Sequence, residues 1–377
     1  MKKLIIFVFI FLITPYFGSS FNFTNFNFEA SLENMIDYYE SMWRVKLFAW
    51  GDIMLSRYIG YLDEKEDYNR IFSWDNYNPV KDYKDCQKWN CLLFFNLESP
   101  FSETDNNQAD STFSFQANKK SINTINQLQQ DNEMLLSLAN NHIYNAGYEW
   151  LRTTQDLLEE NNIMWVGAGS SHNEARRIKE ITKNNIDLCF QAYSYDWKQL
   201  YYGNNNHLVW NEINIEDIQE DLDKMESKGC DANIISLHWW REYKIEPTNT
   251  QRQQAREIID SWADLILGHH SHVPGSIEKY NWKYIFYSFG NFIFDQDWWR
   301  QNYGQNHPQY DTIKDKKESI WSVPTYIALN AVLDIRKIGG EVDIKVEKLK
   351  TVRSEDWILE RNDRETGTNI LRRIKEF

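Results

Sequence analysis

An α/β fold is what this sequence predicts, and three observations predict it. Short apolar runs alternate with amphipathic stretches between residues 45 and 355, as layered strands and helices do. Five of the runs stop at a residue able to bind a metal or carry a proton: Asp52, Glu98, Asn141 with His142, His238, and the trio His269, His270 and His272. Two late runs alternate apolar and polar side chains, as half-buried antiparallel strands do.

In chain order, "VKLFAW" (45–50) reads as a strand ending at Gly51-Asp52, and "CLLFFN" (91–96) as a second ending at "LES". "MLLSLA" (134–139) ends at "NNH" and precedes a helix, "YEWLRTTQDLLEEN". "MWVGAG" (164–169), "DLCFQAYSY" (187–195) and "ANIISLHW" (232–239) are further strands. A helix from about Thr250 to Trp262 leads to "ADLILGHHSH", and "WKYIFYSFGNF" follows. The alternating runs are "TYIALNAVLDI" (325–335) and "EVDIKVEKLKTV" (341–352). Residues 296–322 lack periodicity and read as a surface loop, 21–44 as a linker and 356–377 as a tail. No repeat or boundary divides 45–355, so one compound domain is expected.

The 377 residues afford a sizeable core, with 42% hydrophobic and 25% charged residues. A net charge of −14 excludes a general nucleic-acid binder, which needs a basic footprint. At the amino terminus, Lys2 and Lys3 precede ten apolar residues, Leu4 to Ile13, and a small-residue exit at Gly18-Ser19-Ser20. This is the layout of a signal peptide (1–20) or an uncleaved signal anchor, and it predicts an extracytoplasmic protein, secreted or membrane-anchored. Such a compartment allows disulfides: "CQKWNC" (Cys86, Cys91) is the local candidate and Cys189 with Cys230 a second, with free buried thiols as the alternative.

Side chains from separate segments converge outside the carboxyl ends of strands in open α/β sheets. The five strand-end groups are therefore expected to meet as one metal site. Imidazoles with carboxylates suit zinc, manganese or iron, and the nitrogen donors disfavour calcium. One or two divalent transition-metal ions are expected, with Asp52 or Glu98 able to bridge a pair. Two such ions would polarise an ester and acidify a water, leaving His142 to protonate a leaving group. Arg57, Glu242, His269 and Asn291 are candidates behind the ligands or against substrate. Gly290 reads as a turn requirement, Trp239 and Trp240 as a hydrophobic shell, and His172, His207 and His307 carry no role.

The segments "GDIMLSR" (51–57), "NLESPFS" (96–102), "SLANNHIYNAG" (137–147), "ADLILGHHSHV" (263–273) and "YSFGNFIFDQ" (287–296) resemble, in that order, the CapA family of poly-γ-glutamate capsule biosynthesis. "HWWREYKIEPTNTQRQQAREIID" (238–260) belongs to the same match. The family shares the calcineurin-like metallophosphoesterase fold. The resemblance implies a four-layer αββα sandwich, two mixed sheets face to face with helices outside. It implies Asp52, Glu98, Asn141, His238, His270 and His272 as metal ligands, Glu98 in the central bridging place and His142 as proton donor. Two departures stand out. Met54 occupies the place of a histidine, and "NLES" replaces the usual aspartate-or-asparagine block, so the site has fewer ligands than the phosphoesterase pattern.

Two function classes follow. One is a metal-dependent hydrolase of a phosphoester or polymer amide, linked to synthesis of a capsule-type anionic polymer. The alternative is a non-catalytic binding or assembly component working with membrane polymer-synthase partners. A carbohydrate-stacking surface is weaker, because the tryptophans form no stripe.

Overall fold

A computed structural model of the chain describes residues 42–66, 91–103, 115–145, 148–195, 209–210, 212–295, 327–355 and 358–361, with the single residues 71, 83, 86 and 325. The expected signal segment, most of the linker, the 296–322 loop, His207, His307 and most of the tail lie outside these residues.

The first strands are β1 (Arg44–Ile53), β2 (Leu92–Leu97), a short pair β3 (Phe101–Ser102) and β4 (Ala117–Asn118), and β5 (Glu133–Ser137). Next come β6 (Met164–Val166), β7 (Ala168–Gly169), β8 (Lys179–Lys183), β9 (Ile186–Ser194) and β10 (Val209–Trp210). The series continues with β11 (Ala232–His238), β12 (Leu265–His269), β13 (Ile277–Tyr280), β14 (Lys283–Phe286) and β15 (Asn291–Ile293). It closes with β16 (Ile327–Ile338), β17 (Glu341–Glu355) and β18 (Ile358–Arg361). The helices are α1 (Arg57–Glu64), α2 (Ile122–Gln129), α3 (Tyr148–Glu160), α4 (His172–Ala175), α5 (Ile215–Lys228) and α6 (Asn249–Asp260).

Two large mixed sheets organise the body. One runs β18-β17-β16-β1-β2-β5-β6, with β15 also paired to β1; the other runs β13-β14-β12-β11-β9-β8. Their central strands are parallel: β1, β2 and β5 in the first, β9, β11, β12 and β14 in the second. The flanking members β16, β17, β8 and β13 pair antiparallel.

Alternation of side chains assigns the layers. In β1, Val45, Leu47 and Ala49 join Leu188, Phe190, Ile234 and Leu267 between the sheets. Phe48 and Trp50 point the other way, with Ile59, Leu128 and Leu158 of α1, α2 and α3. In β11, Ile235 and Leu237 meet Leu222 of α5 and Ile258 of α6. The order is thus helices, sheet, sheet, helices, the αββα sandwich expected. Strands buried on both faces are near-continuously apolar, which is why they stood out in the sequence.

Cys86 pairs with Cys91 and Cys189 with Cys230, at Cα separations of 4.9 and 5.8 Å. The sheet runs past residue 355, where a tail was expected, because β18 pairs with β17. Trp239 is buried, but Trp240 is exposed and belongs to no hydrophobic shell.

Candidate metal centre

Parallel β1, β2 and β5 place their carboxyl ends together, and β11 and β12 do the same in the facing sheet. Register does the fine positioning. Asp52 lies beside Asn96 of β2 on one side and Asn291 of β15 on the other. His238 and His269, the last residues of β11 and β12, are direct neighbours. Two glycines permit the packing around Asp52. A Cβ on Gly51 would lie 1.9 Å from the Gly290 carbonyl oxygen, and Gly290 itself takes φ 72°.

The site is held by contacts between the sheets. His269 Nδ1 donates to Asp52 Oδ1 at 2.9 Å, and the His270 backbone N–H reaches Asp52 Oδ2 at 3.3 Å. Immediately after β12, His270 and His272 adopt φ 82° and 57°. Side chains with a Cβ rarely accept that left-handed backbone, and such strain concentrates at functional sites. Its effect here is to bring the rings together: His270 lies 4.6 Å from His238 and 5.6 Å from His272 between ring centroids.

Two triplets of ligand atoms result, each spanning no more than 4.8 Å: Glu98 with His270 and His272, and Asp52 with Glu98 and His238. Glu98 belongs to both. It is fully buried, and neither carboxylate oxygen accepts a hydrogen bond among the described residues. His238 Nε2 stands 3.1 Å from Glu98 Oε1 and 2.8 Å from Asn141 Oδ1. A buried carboxylate without donors is costly unless a cation compensates it. The mixed carboxylate and imidazole set is the chemistry of a zinc, manganese or iron site. The residues therefore fit one or two such ions.

Ionisation agrees with that fit. Burial, then the charges of Asp52 and Glu242, push the Glu98 carboxyl well above the usual carboxylate range, against a partial pull from Arg57. Burial would also raise Asp52, but hydrogen bonding and charge from His269, with His238 and His272 beyond, bring it below its ordinary value. Burial pulls the imidazoles of His238 and His270 well below theirs; Asp52 opposes this at His238, and neighbouring histidines reinforce it at His270. Unprotonated imidazole is the ligating form.

The remaining candidates sort by contact. Asn141 joins His238 to His142, its amide nitrogen 3.0 Å from His142 Nε2. His142 Nδ1 donates to Asn145 Oδ1 at 2.8 Å, which leaves Nε2 as the position that exchanges a proton. His272 Nδ1 donates to Asn291 Oδ1 at 2.8 Å, turning Nε2 inward, and Asn291 is anchored to the Thr325 carbonyl. His269 lies outside both triplets and orients Asp52. Glu242 is partly exposed, 3.9 Å from His270 Nε2. Arg57 pairs with buried Asp295, its guanidinium 4.8 Å from the centre of the Phe115 ring.

Sequence reasoning missed a second tier. Asn96 donates to Asp52 Oδ1 at 2.9 Å, and Asn140 donates to Asn96 Oδ1 at 3.2 Å and to the Leu97 carbonyl at 2.7 Å. Asn145 and Asp295 brace His142 and Arg57 in the same way. The signal was present in "NLES" and "NNHIYN", whose amides recur beside the acids. Met54 is buried, with Ser56 donating from N and Oγ to its sulfur at 3.2 and 2.9 Å, and it clusters with Phe115 and Phe294. A methionine closes with apolar packing what a histidine would open to a metal.

Residues 46–296 match the family described as "Bacterial capsule synthesis protein PGA_cap". Among curated relatives, the "PGA biosynthesis protein CapA" of Bacillus subtilis (strain 168) is 33% identical over 256 residues, covering 66% of this chain and 63% of the relative. The "Capsule biosynthesis protein CapA" of Bacillus anthracis is 27% identical over 256 residues, covering 66% and 60%. The match thus spans less than two thirds of those relatives' own lengths. Among solved structures, the calcineurin-like phosphoesterase YfkN from Bacillus subtilis aligns at 15% identity and TM-score 0.40, covering 88% of this chain and 96% of that one.

Proposed function

This chain belongs to the bacterial capsule synthesis protein family PGA_cap, and from that membership we propose that it is an extracytoplasmic metal-dependent hydrolase of an anionic capsule-type polymer. The bond cut is an amide of a polyglutamate-like chain or a phosphoester. One observation carries the reading: Glu98, buried and without hydrogen-bond donors, is shared by two histidine-containing triplets. An extracytoplasmic place is supported by the signal-like amino terminus and by the paired cysteines. Among the described residues no helix is long and apolar enough to cross a membrane.

In this reading Asp52, Glu98 and His238 would hold one ion and Glu98, His270 and His272 a second, with Asn141 beside His238 as a further ligand candidate. Bound ions supply positive charge that polarises the scissile group and acidifies a water. The chain does the rest. His269 and Asn96 fix the Asp52 carboxylate, and Asn291 fixes the His272 ring. His142, oriented by Asn145, takes a proton at Nε2 and passes it to the leaving atom. Arg57, braced by Asp295 near Glu98, offsets the site's acidic excess as an anionic substrate arrives.

A screen of purified, metal-loaded protein on poly-γ-glutamate, phosphodiesters and phosphomonoesters tests this. His142→Ala should lower kcat by about 10²–10⁴-fold with metal uptake retained. Absence of turnover on every substrate at full metal occupancy would refute hydrolysis. Met54 favours a second reading, a non-catalytic assembly component beside membrane partners, because it removes a ligand from the phosphoesterase pattern. That reading expects polymer output in cells to survive His142→Ala.

A further inference from the structure

Among the described residues six large hydrophobic side chains are exposed: Trp43, Tyr61, Trp240, Trp262, Trp282 and Ile338. Four of them are gathered at the end of the sandwich opposite the metal centre. A continuous chain of contacts establishes this. The Lys337 backbone N–H donates to the Trp43 carbonyl, and its Nζ lies 5.8 Å from the centre of the Trp43 ring. The same Nζ reaches Asp231 at 2.8 Å, just before β11. Two residues on, Asn233 donates to the Trp262 carbonyl at 3.1 Å and to it is joined Asp264, the partner of Lys283. Lys283 follows Trp282 at the tip of the β13–β14 hairpin, and Ile338 sits at the tip of β16–β17. These are the amino-terminal ends of β1, β11 and β12, whose carboxyl ends carry the ligands.

The tryptophans are displayed at unusual cost. Trp262 and Trp282 are 67% and 85% exposed, and both take the left-handed backbone, at φ 79° and 69°. Those positions suit glycine or asparagine, and most of each ring is left outside the core. Lysines stand beside the rings: Lys279 Nζ lies 5.3 Å from the Trp282 ring and Lys337 Nζ 5.8 Å from the Trp43 ring, while Lys283, next to Trp282 in the chain, pairs with Asp264. Tryptophan flanked by lysine is the composition of a membrane–water interface, where the amphipathic ring sits at headgroup level. The chain enters the body at Trp43, downstream of the apolar run Leu4 to Ile13.

We propose that this end, bearing Trp43, Trp262, Trp282 and Ile338, docks on the interface of a phospholipid bilayer. The nine residues from Trp43 to Asp52 run along β1, so the metal centre stands about 30 Å from the lipid and faces away from it. A polymer emerging from the membrane would meet the centre from the far side. The proposal is independent of hydrolysis: an inactive binding component would dock in the same orientation.

Full-length protein reconstituted with phosphatidylcholine–phosphatidylglycerol vesicles tests it by quenching from acyl-chain-brominated lipid. Residues 1–42 contain no tryptophan, so any quenching arises from the body and not from an inserted amino-terminal segment. Brominated lipid should dim the wild type, and Trp262→Phe with Trp282→Phe should remove at least half of the quenched component while metal uptake stays unchanged. Equal fluorescence in brominated and ordinary lipid would overturn the proposal. Quenching undiminished by the two substitutions would overturn it too, because neither ring would then reach the lipid. Concentration-dependent dimerisation in the absence of lipid, abolished by the same substitutions, would assign the patch to a second copy and likewise overturn it.

Discussion

Glu98 concentrates the tension in this molecule. It is buried beside Asp52, with no donor to either oxygen, so burial and the Asp52 charge hold its carboxyl well above the usual range, and its ionised form lacks a compensating partner in the metal-free fold. Glu98→Gln should therefore raise the stability of chelator-treated protein by about 1–3 kcal/mol, read from urea midpoints, while abolishing metal uptake. The same variant isolates a pH effect. His238 and His270 have folded-state pKa values held below their unfolded value of about 6.5, so the stability they contribute is complete above that pH and is lost as the pH falls beneath it. Glu98 acts in the opposite sense, because a raised carboxyl favours the fold at low pH and loses that advantage as pH rises through its folded value. In metal-free Glu98→Gln the histidines act without it, and stability should drop by about 1 kcal/mol or more between pH 7.5 and 5.5. A flat profile in the variant would show that these rings are not buried neutral.

At the scale of elements, strand ends hold the ligands in place through close backbone approach. Gly51→Ala would drive a Cβ against the Gly290 carbonyl and separate β1 from the turn that delivers Asn291. A loss of about 1–3 kcal/mol is expected, with weakened metal affinity, measured by denaturation and by titration. Helix α6 provides the contrast. Thr248 and Gln251 form a reciprocal capping box at its start, and Thr248→Ala should cost about 1 kcal/mol without altering metal uptake. The same scale explains what could be read in advance. Central strands such as β11 and β12 were legible because burial on both faces leaves them almost purely apolar. Helix α5 was not, since Ile218, Leu222 and Met225 offer a single narrow apolar stripe in an acidic stretch. The edge strands β8 and β13 escaped notice for a related reason: each is short and only partly buried. Of the site, the acids and imidazoles were visible because five strand ends carry them, and such ends converge in an α/β sheet. Asn96, Asn140 and Asn145 were not, because an asparagine at a turn has many uses, and only the register of β1 against β2 assigns Asn96 to Asp52.

For the whole molecule, the centre sits where two sheets must stay together, so an ion bound there ties one half of the sandwich to the other. Free metal at 100 times its dissociation constant should stabilise the fold by about 2.7 kcal/mol, and a chelator should remove that gain. The thermal midpoint should therefore climb with added manganese or zinc in the wild type and stay fixed in Glu98→Gln. The most direct test counts the metal. Elemental analysis of the purified full-length chain, equilibrated with manganese, zinc or iron, should find two ions per wild-type chain and none in Glu98→Gln. A wild-type chain that takes up no ion, or a variant that still binds metal as the wild type does, would contradict a centre bridged by Glu98.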